Sequence, residues 1–309
     1  MLQLLLESVL LGVGLIMLMK GADWLTDGAV KAARRFGISE FIIGLTIIAI
    51  GTSLPELSVS TAASLAGEGD VAVANVVGSS IFNIAVILGI GLIIVSVSTK
   101  NSFFHSGLIM VGFSLSLLLV LADLQISRLE GLLLLAAFIA YIVYLMRSKH
   151  FKVEAPATQA SGKAWRSILL LGVGLVLIIA GAELVLSSAI HIAEALNISR
   201  WVISAVIIAI GTSLPEIVVM VVSALRRSLG ISVGTLIGSN IVNIGVVLGV
   251  ASLVRPMTIS TPLVWLDLVV LALIAAVLVF FTRTGWRLSR WEGLILLLLY
   301  LVYIGVVQK

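Results

Sequence analysis

The chain has 309 residues, 61% of them hydrophobic and only 11% charged, with a mean hydropathy of +1.25. A soluble domain carries about 25% charged residues, so this composition excludes a water-soluble globule and indicates an integral membrane protein. The net charge of +4 is weak evidence for a nucleic-acid partner, because the basic residues fall in short segments between apolar stretches. With no cysteine there is no disulfide, thiolate nucleophile or zinc–thiolate site.

About 20 apolar residues are needed for each helical crossing. Charged and turn residues divide the chain into ten such stretches: 2–30, 41–66, 71–97, 103–122, 129–146, 167–190, 201–225, 231–254, 262–282 and 291–307. The N-terminal MLQLLLESVLLGVG lacks the basic n-region and small-residue cleavage site of a signal peptide, so it reads as the first span. That span holds Lys20, Asp23 and Asp27 near its end, so its last turns are expected to leave the hydrocarbon. Residues 147–166 are polar, with Glu154, Pro156, Gln159, Ser161 and Gly162, and read as a linker between five-helix halves at 1–146 and 167–309.

An internal repeat supports this division. The ten residues Ile47 to Glu56, IIAIGTSLPE, recur unchanged as Ile207 to Glu216, 160 positions later. Gly12, Gly14 and Gly21-Ala22-Asp23 match Gly172, Gly174 and Gly181-Ala182-Glu183 at the same offset, as Gly78-Ser79 and Asn83 match Gly238-Ser239 and Asn243. Leu129-Glu130-Gly131 matches Trp291-Glu292-Gly293 at 162. Five is odd, so the second half must start from the opposite face. The prediction is an all-α integral membrane fold of ten transmembrane helices, arranged as two inverted-topology five-helix repeats, as secondary transporters are built.

Orientation follows from the loops. Those after odd-numbered helices carry fourteen Lys and Arg, the opposite face four. This predicts a multi-pass cell-membrane protein with both termini outside and the linker in the cytoplasm.

Glu56 and Glu216 stand alone in their apolar stretches, Glu56 about 24 Å along its own, near mid-depth. An isolated carboxylate there is costly, and intramembrane ionisable groups mark function. Pro55 and Pro215 cannot donate to the carbonyl four residues back, so carbonyls around Ala49 to Thr52, and Ala209 to Thr212, are expected to be freed. Unsatisfied backbone at this depth must be buried in protein or line a polar cavity. Thr52 and Glu56 share a helix face with Ser53 beside them, and Thr212, Ser213 and Glu216 repeat the pattern. On the following helices Ser79 and Asn83, and Ser239 and Asn243, are four apart. All offer hard oxygen, which favours Na+ or Ca2+ over zinc or copper. Two carboxylates neutralise one Ca2+ or two Na+, whereas a third Na+ would make the cycle electrogenic. Gly12, Gly14, Gly44, Gly172 and Gly174 read as close-packing positions. Asp23, Asp27 and Glu183 read as interfacial, and His105, His150 and His191 as solvated.

These motifs, GTSLPE and GS-x3-N in each half, resemble those of the cation/calcium antiporter superfamily, in particular its prokaryotic sodium/calcium exchangers, over essentially the whole chain. The resemblance implies that Glu56 and Glu216 are central ligands, with Thr52 and Thr212 adding backbone and hydroxyl oxygen. It also implies flanking sodium sites from Ser79, Ser239 and the carbonyls of Ala49 and Ala209, with Asn83 and Asn243 lining the middle. Proton-coupled relatives have Gly-Asn where this chain has Gly51-Thr52 and Gly211-Thr212, so sodium coupling is implied. Potassium-dependent relatives have an aspartate where Asn243 stands, and the amide argues against a potassium requirement. The linker of about twenty residues is too short for a regulatory insert such as animal exchangers carry.

The resulting expectation is a non-enzymatic Na+/Ca2+ antiporter working by alternating access. Its partners are the two ions and the lipid bilayer, with no cofactor and no nucleic acid. The long, glycine-bearing helices 2–30 and 167–190 are the expected sliding gate. The alternatives are an H+/Ca2+ antiporter, a cation channel using the same oxygens as a filter, and an intramembrane hydrolase. The hydrolase is disfavoured because no histidine, lysine or cysteine lies at the depth of Ser53 or Ser213 to activate them.

Overall fold

The computed structural model describes residues 2–99, 101–148, 164–196, 209–261 and 264–307. The chain begins with α1 (Leu2–Phe36), followed by α2 (Glu40–Thr52), α3 (Leu54–Ala66), α4 (Gly69–Ile94), α5 (Asn101–Val120) and α6 (Arg128–Arg147). After the polar stretch come α7 (Ala164–Ala195), the short α8 (Ala209–Thr212), α9 (Leu214–Leu225), α10 (Leu229–Val254), α11 (Val264–Arg283) and α12 (Arg290–Val307). Among the described residues eight helices are long and apolar enough to cross a membrane, and the bent pair α2–α3 makes a ninth. The span expected at 201–225 lies partly outside the described residues; α8 and α9 are its described portion. The linker expected at 147–166 falls mostly outside them too.

Local signals set the ends. Ser39 caps α2 by accepting the Ile42 N–H, and Ser127 and Glu130 form a reciprocal capping box on α6. Gly67, at φ +87°, closes α3 in a left-handed conformation that favours glycine. The first helix continues six residues past the expected residue 30, because Gly37 at φ +64° is the first residue to break it. At 35 and 32 residues, α1 and α7 are about 52 and 48 Å long, well beyond the ~30 Å hydrocarbon layer.

The core is layered by burial. Two-thirds or more of the apolar windows of α4 and α10 are buried (67% and 78%), against 11% for α12 and 17% for α1. The main cluster of buried apolar side chains is centred on α4, α5, α10 and α11. A second, smaller one lies under α1 and α7 and includes Leu18, Leu25, Ile178, Val219 and Ile231. Helix α1 packs chiefly on α7 and much more lightly on α2 and α9. The two run antiparallel, with Gly14 against Gly181, Gly21 against Gly174 and Gly28 against Ser167, so their backbones nearly touch. Gly12 and Gly172, also expected to be packing positions, have nothing within 4 Å of where a Cβ would stand. They lie off the contact stripe.

Elements from the two parts of the chain interleave. Strand β1 (Val97–Ser98) pairs antiparallel with β4 (Arg287–Leu288), and β2 (Gln125–Ile126) with β3 (Met257–Thr258). Gly89 packs on Gly293 and Gly131 on Gly249, each near the other's backbone. Both pairs of contacts are related by the 160- and 162-residue offsets of the sequence repeat.

Candidate ion-binding site

Ser53 interrupts the second membrane crossing. Its φ/ψ of −82°/8° leaves the helical basin, and the axes of α2 and α3 differ by 43°. Pro55 falls in the first turn of α3, where a missing N–H is harmless, while the Gly51 carbonyl four residues back loses its usual donor. The second copy does the same: Ser213, at −89°/5°, separates α8 from α9, with Pro215 in the first turn of α9. The Ala49 carbonyl, expected to be freed, instead accepts the Ser53 N–H at 3.1 Å and the Thr52 hydroxyl at 3.4 Å. The proline acts on its own i−4 partner, Gly51, and Ala49 lies two residues too early. The breaks place Glu56 and Glu216 in the first turns of α3 and α9, where the helix dipole favours negative charge.

Glycine spacing brings the second half of the site against the first. Gly230, Gly234 and Gly238 line one face of α10, and Cβ atoms there would meet Phe41 N at 3.0 Å, Phe41 O at 2.5 Å and Leu45 O at 2.4 Å. Only a bare backbone permits this approach of α10 to α2. It sets Ser239, the next residue, with its hydroxyl 3.4 Å from that of Thr52. Ser239 in turn donates to Glu216 Oε1 at 3.2 Å. On the other side Asn243 Nδ2 donates to Ser79 Oγ at 3.1 Å. The Glu56 and Glu216 carboxylates are close enough to repel each other.

These contacts bring Thr52, Ser239 and Glu216 together beside Glu56 and join Ser79 to Asn243. Glu56 is 1% exposed and Glu216 0%, and Ala49, Thr52, Ser53, Asn83, Ser213, Ser239 and Asn243 are as deeply buried. Thr212 and Ser79 are buried at the edge, and of Ala209 only the backbone is described, opening α8. Among the described residues no hydrogen bond reaches either carboxylate oxygen of Glu56, Oε2 of Glu216, either amide atom of Asn83, Oδ1 of Asn243, or the hydroxyls of Ser53 and Ser213. Buried polar atoms ordinarily find partners. No basic side chain pairs with either glutamate, and no cluster of three or more His, Cys, Asp or Glu is present among the described residues. This is a set of hard oxygens, two carboxyl groups among them, without protein partners for most of them, and its chemistry suits Na+ or Ca2+.

Backbone irregularity is concentrated here. Wide π turns occupy Gly44–Ile48, Asn83–Leu88 and Asn243–Leu248, so both asparagines open one. Such turns leave i→i−4 carbonyls without their usual donor and collect at functional sites. Asn75, absent from the predicted set, reaches from α4 to donate to the Glu56 carbonyl at 3.3 Å and to Ser60 Oγ at 2.9 Å. The available signal was its place four residues before Ser79 on an otherwise apolar face.

Away from the site, Asp23 pairs with Arg226 at 2.7 Å, Asp27 with Lys31 at 2.5 Å, and Glu183 is exposed on α7. His191, expected to be solvated, is exposed near the end of α7, with Nδ1 3.0 Å from Glu7 Oε1, joining the far ends of α1 and α7. His150 lies outside the described residues.

The model of the sodium/calcium exchanger protein family matches residues 7–147 and 166–308. The chain is 33% identical over 345 residues to the sodium/calcium exchanger MaX1 of Methanosarcina acetivorans, spanning 96% of this chain and 97% of that one. It is 35% identical over 292 residues to an uncharacterized membrane protein of Methanocaldococcus jannaschii, spanning 94% and 95%. Solved structures of the sodium-calcium exchanger NCX_Mj superpose over nearly its whole length. The form soaked with 2.5 mM Na+ and 0.1 mM Ca2+ gives a TM-score of 0.86 at 34% identity, covering 97% of this chain and 98% of that one. The form soaked without either ion gives 0.88 at 33%, covering 98% and 99%. The described helices, the membrane-scale hydropathy and these likenesses agree: this chain is a multi-pass membrane protein of the sodium/calcium exchanger family.

Proposed function

We propose that the chain exchanges Na+ for Ca2+ by alternating access at a mid-membrane site whose central ligands are Glu56 and Glu216. The observation that carries this reading is the pair of buried glutamates, three of whose four carboxylate oxygens lack a protein partner among the described residues. Thr52, Ser239, Ser79 and Asn243 bridge between the repeats beside them and complete the oxygen set with Thr212, Asn83, Ser53, Ser213 and the Ala49 and Ala209 carbonyls. One Ca2+ or two Na+ balance the two charges. An empty pair is costly to seal in a dry pathway, because a buried charge without a partner is strongly destabilising. The site therefore crosses only when loaded, and binding becomes obligatory exchange.

The halves are taken as five helices each, inverted, with both termini outside and the linker in the cytoplasm. Helices α1 and α7 form the moving unit. They pack mainly on each other, touch the rest through a small apolar cluster, and meet along a glycine stripe.

The experiment is 45Ca2+ uptake into proteoliposomes driven by an imposed sodium gradient at fixed pH. Uptake is expected to require sodium on the opposite face and to vanish in Glu56→Gln and Glu216→Gln. Uptake driven equally by a pH gradient without sodium would assign proton coupling instead. Flux that needs no counter-ion would make the protein a channel.

A further inference from the structure

Where α4 and α12 leave the membrane on the same side, Ile94, Ser96, Arg287, Ser289, Arg290 and Trp291 surround a cavity of about 650 Å3. The β1–β4 ladder, with Ser98 opposite Arg287, holds its two walls together. Trp291 is 76% exposed and Trp286 38%, as aromatic rings at a bilayer boundary are.

The charge in this cavity is unspent. Some arginines elsewhere are engaged: Arg226 with Asp23, Arg255 with the Leu65 carbonyl, Arg283 over the rings of Phe104 and Trp286. Arg287 and Arg290 have no ion pair, side-chain hydrogen bond or ring contact among the described residues. The nearest acid in sequence, Glu292, directs its carboxylate at the Ser289 N–H (2.5 Å) and the Thr284 hydroxyl (3.0 Å). It caps α12 and leaves both guanidiniums free. From the mouth of the cavity an exposed apolar track continues along the helices through Ile94, Leu294, Ile295 and Leu298. This is also the face on which the sequence concentrates Lys and Arg.

We propose that this cavity binds the headgroup phosphate of an anionic phospholipid, whose acyl chains lie along that apolar track. A basic pocket directly above lipid-facing surface fits an amphiphile better than a free anion, and basic pockets between membrane helices bind such headgroups. Guanidiniums recognise phosphate through paired N–H donors. The bound lipid would join α12 to the end of α4, the helix that carries Ser79 and Asn83, reinforcing their contact at Gly89 and Gly293.

The test is native mass spectrometry of the purified full chain after equilibration with equimolar phosphatidylglycerol and phosphatidylcholine. The wild type is expected to retain phosphatidylglycerol with a preference of about thirtyfold, the effect of two cations near a surface. Arg287→Gln with Arg290→Gln brings the two lipids to parity. Arg287→Lys with Arg290→Lys, which keeps the charge, retains most of the preference, and Arg128→Gln on another loop changes nothing. Equal retention by the wild type, or an undiminished preference in the double Gln variant, overturns the proposal. Release of the lipid by excess inorganic phosphate would assign the pocket to a free anion and overturn it equally.

Discussion

Replacing Glu56 by glutamine keeps the shape and removes one charge, and its consequences for stability run in opposite directions with and without calcium. Glu56 is 1% exposed, neither carboxylate oxygen has a partner among the described residues, and Glu216 is near enough to repel it. A buried unsatisfied polar group costs about 1–3 kcal/mol and a charged one more, so exchanging carboxylate for amide should stabilise the ion-free protein by about 1–2 kcal/mol. Unfolding entropy of about 2.1 cal/mol/K per residue makes this a rise of about 2–3 °C in melting temperature.

Calcium reverses the order. Bound only by the folded state, it stabilises the wild type by about 2.7 kcal/mol at a hundred times its Kd, or about 4 °C. Removing one member of a buried charge set costs about 3–5 kcal/mol, which raises the variant's Kd by about two to three and a half decades. At the same calcium concentration the variant gains almost nothing. Melting followed by intrinsic tryptophan fluorescence in detergent, with chelator and then with Ca2+, should show the variant above the wild type first and below it second. A variant that still rises with calcium, or that melts below the wild type in chelator, would refute the assignment of Glu56 as an uncompensated ligand.

Four further outcomes follow from the packing. Gly238→Val puts a Cβ 2.4 Å from the Leu45 carbonyl and 2.6 Å from Ala49 Cβ; it should cost about 1–3 kcal/mol and abolish calcium flux by parting Ser239 from Thr52. Gly12→Ala, with nothing within 4 Å, should leave melting and flux unchanged in the same assays. Asn75→Leu removes two neutral hydrogen bonds at about 1 kcal/mol each and should weaken calcium binding by up to about tenfold while flux persists, as read by calcium titration. Because the chain has no cysteine, Asp23→Cys with Arg226→Cys gives a clean pair, and bridging it with a short bifunctional thiol reagent should stop exchange. Loss of the Asp23–Arg226 ion pair alone, in the unbridged variant, should cost under about 1 kcal/mol because both groups are more than a third exposed.

The glutamates were legible because hydropathy isolates a carboxylate in an apolar stretch, and the duplicated IIAIGTSLPE motif makes coincidence implausible. Helical spacing and the repeat together single out Ser79 and Asn243, though not the contact between them. Other features left no such mark. The π turns at Asn83 and Asn243 widen the helix without changing which residue types suit it. Gly12 and Gly14 are alike in sequence, yet only Gly14 faces α7, because contact depends on the crossing of two helices and not on either one. The exposure of His191 is legible from its place near a span end, but its contact with Glu7 is not, because it depends on α7 running on to Ala195 beside α1. Asn75 is one of several polar residues on α4, and its targets are a backbone carbonyl, which every residue possesses, and the Ser60 hydroxyl.

The hydroxyl contact between Thr52 and Ser239 spans 187 residues of chain. At a synthesis rate of about 5–20 residues per second, the ribosome needs about 10–40 s to make that intervening length. For that interval Glu56 lacks Glu216 and Ser239 as neighbours, and the small face of α10 is not yet available to cover it. The nascent first repeat must therefore be held by water, by protonation or by the insertion machinery until its counterpart emerges, and a slow or paused second half prolongs the most vulnerable stage in the life of the chain.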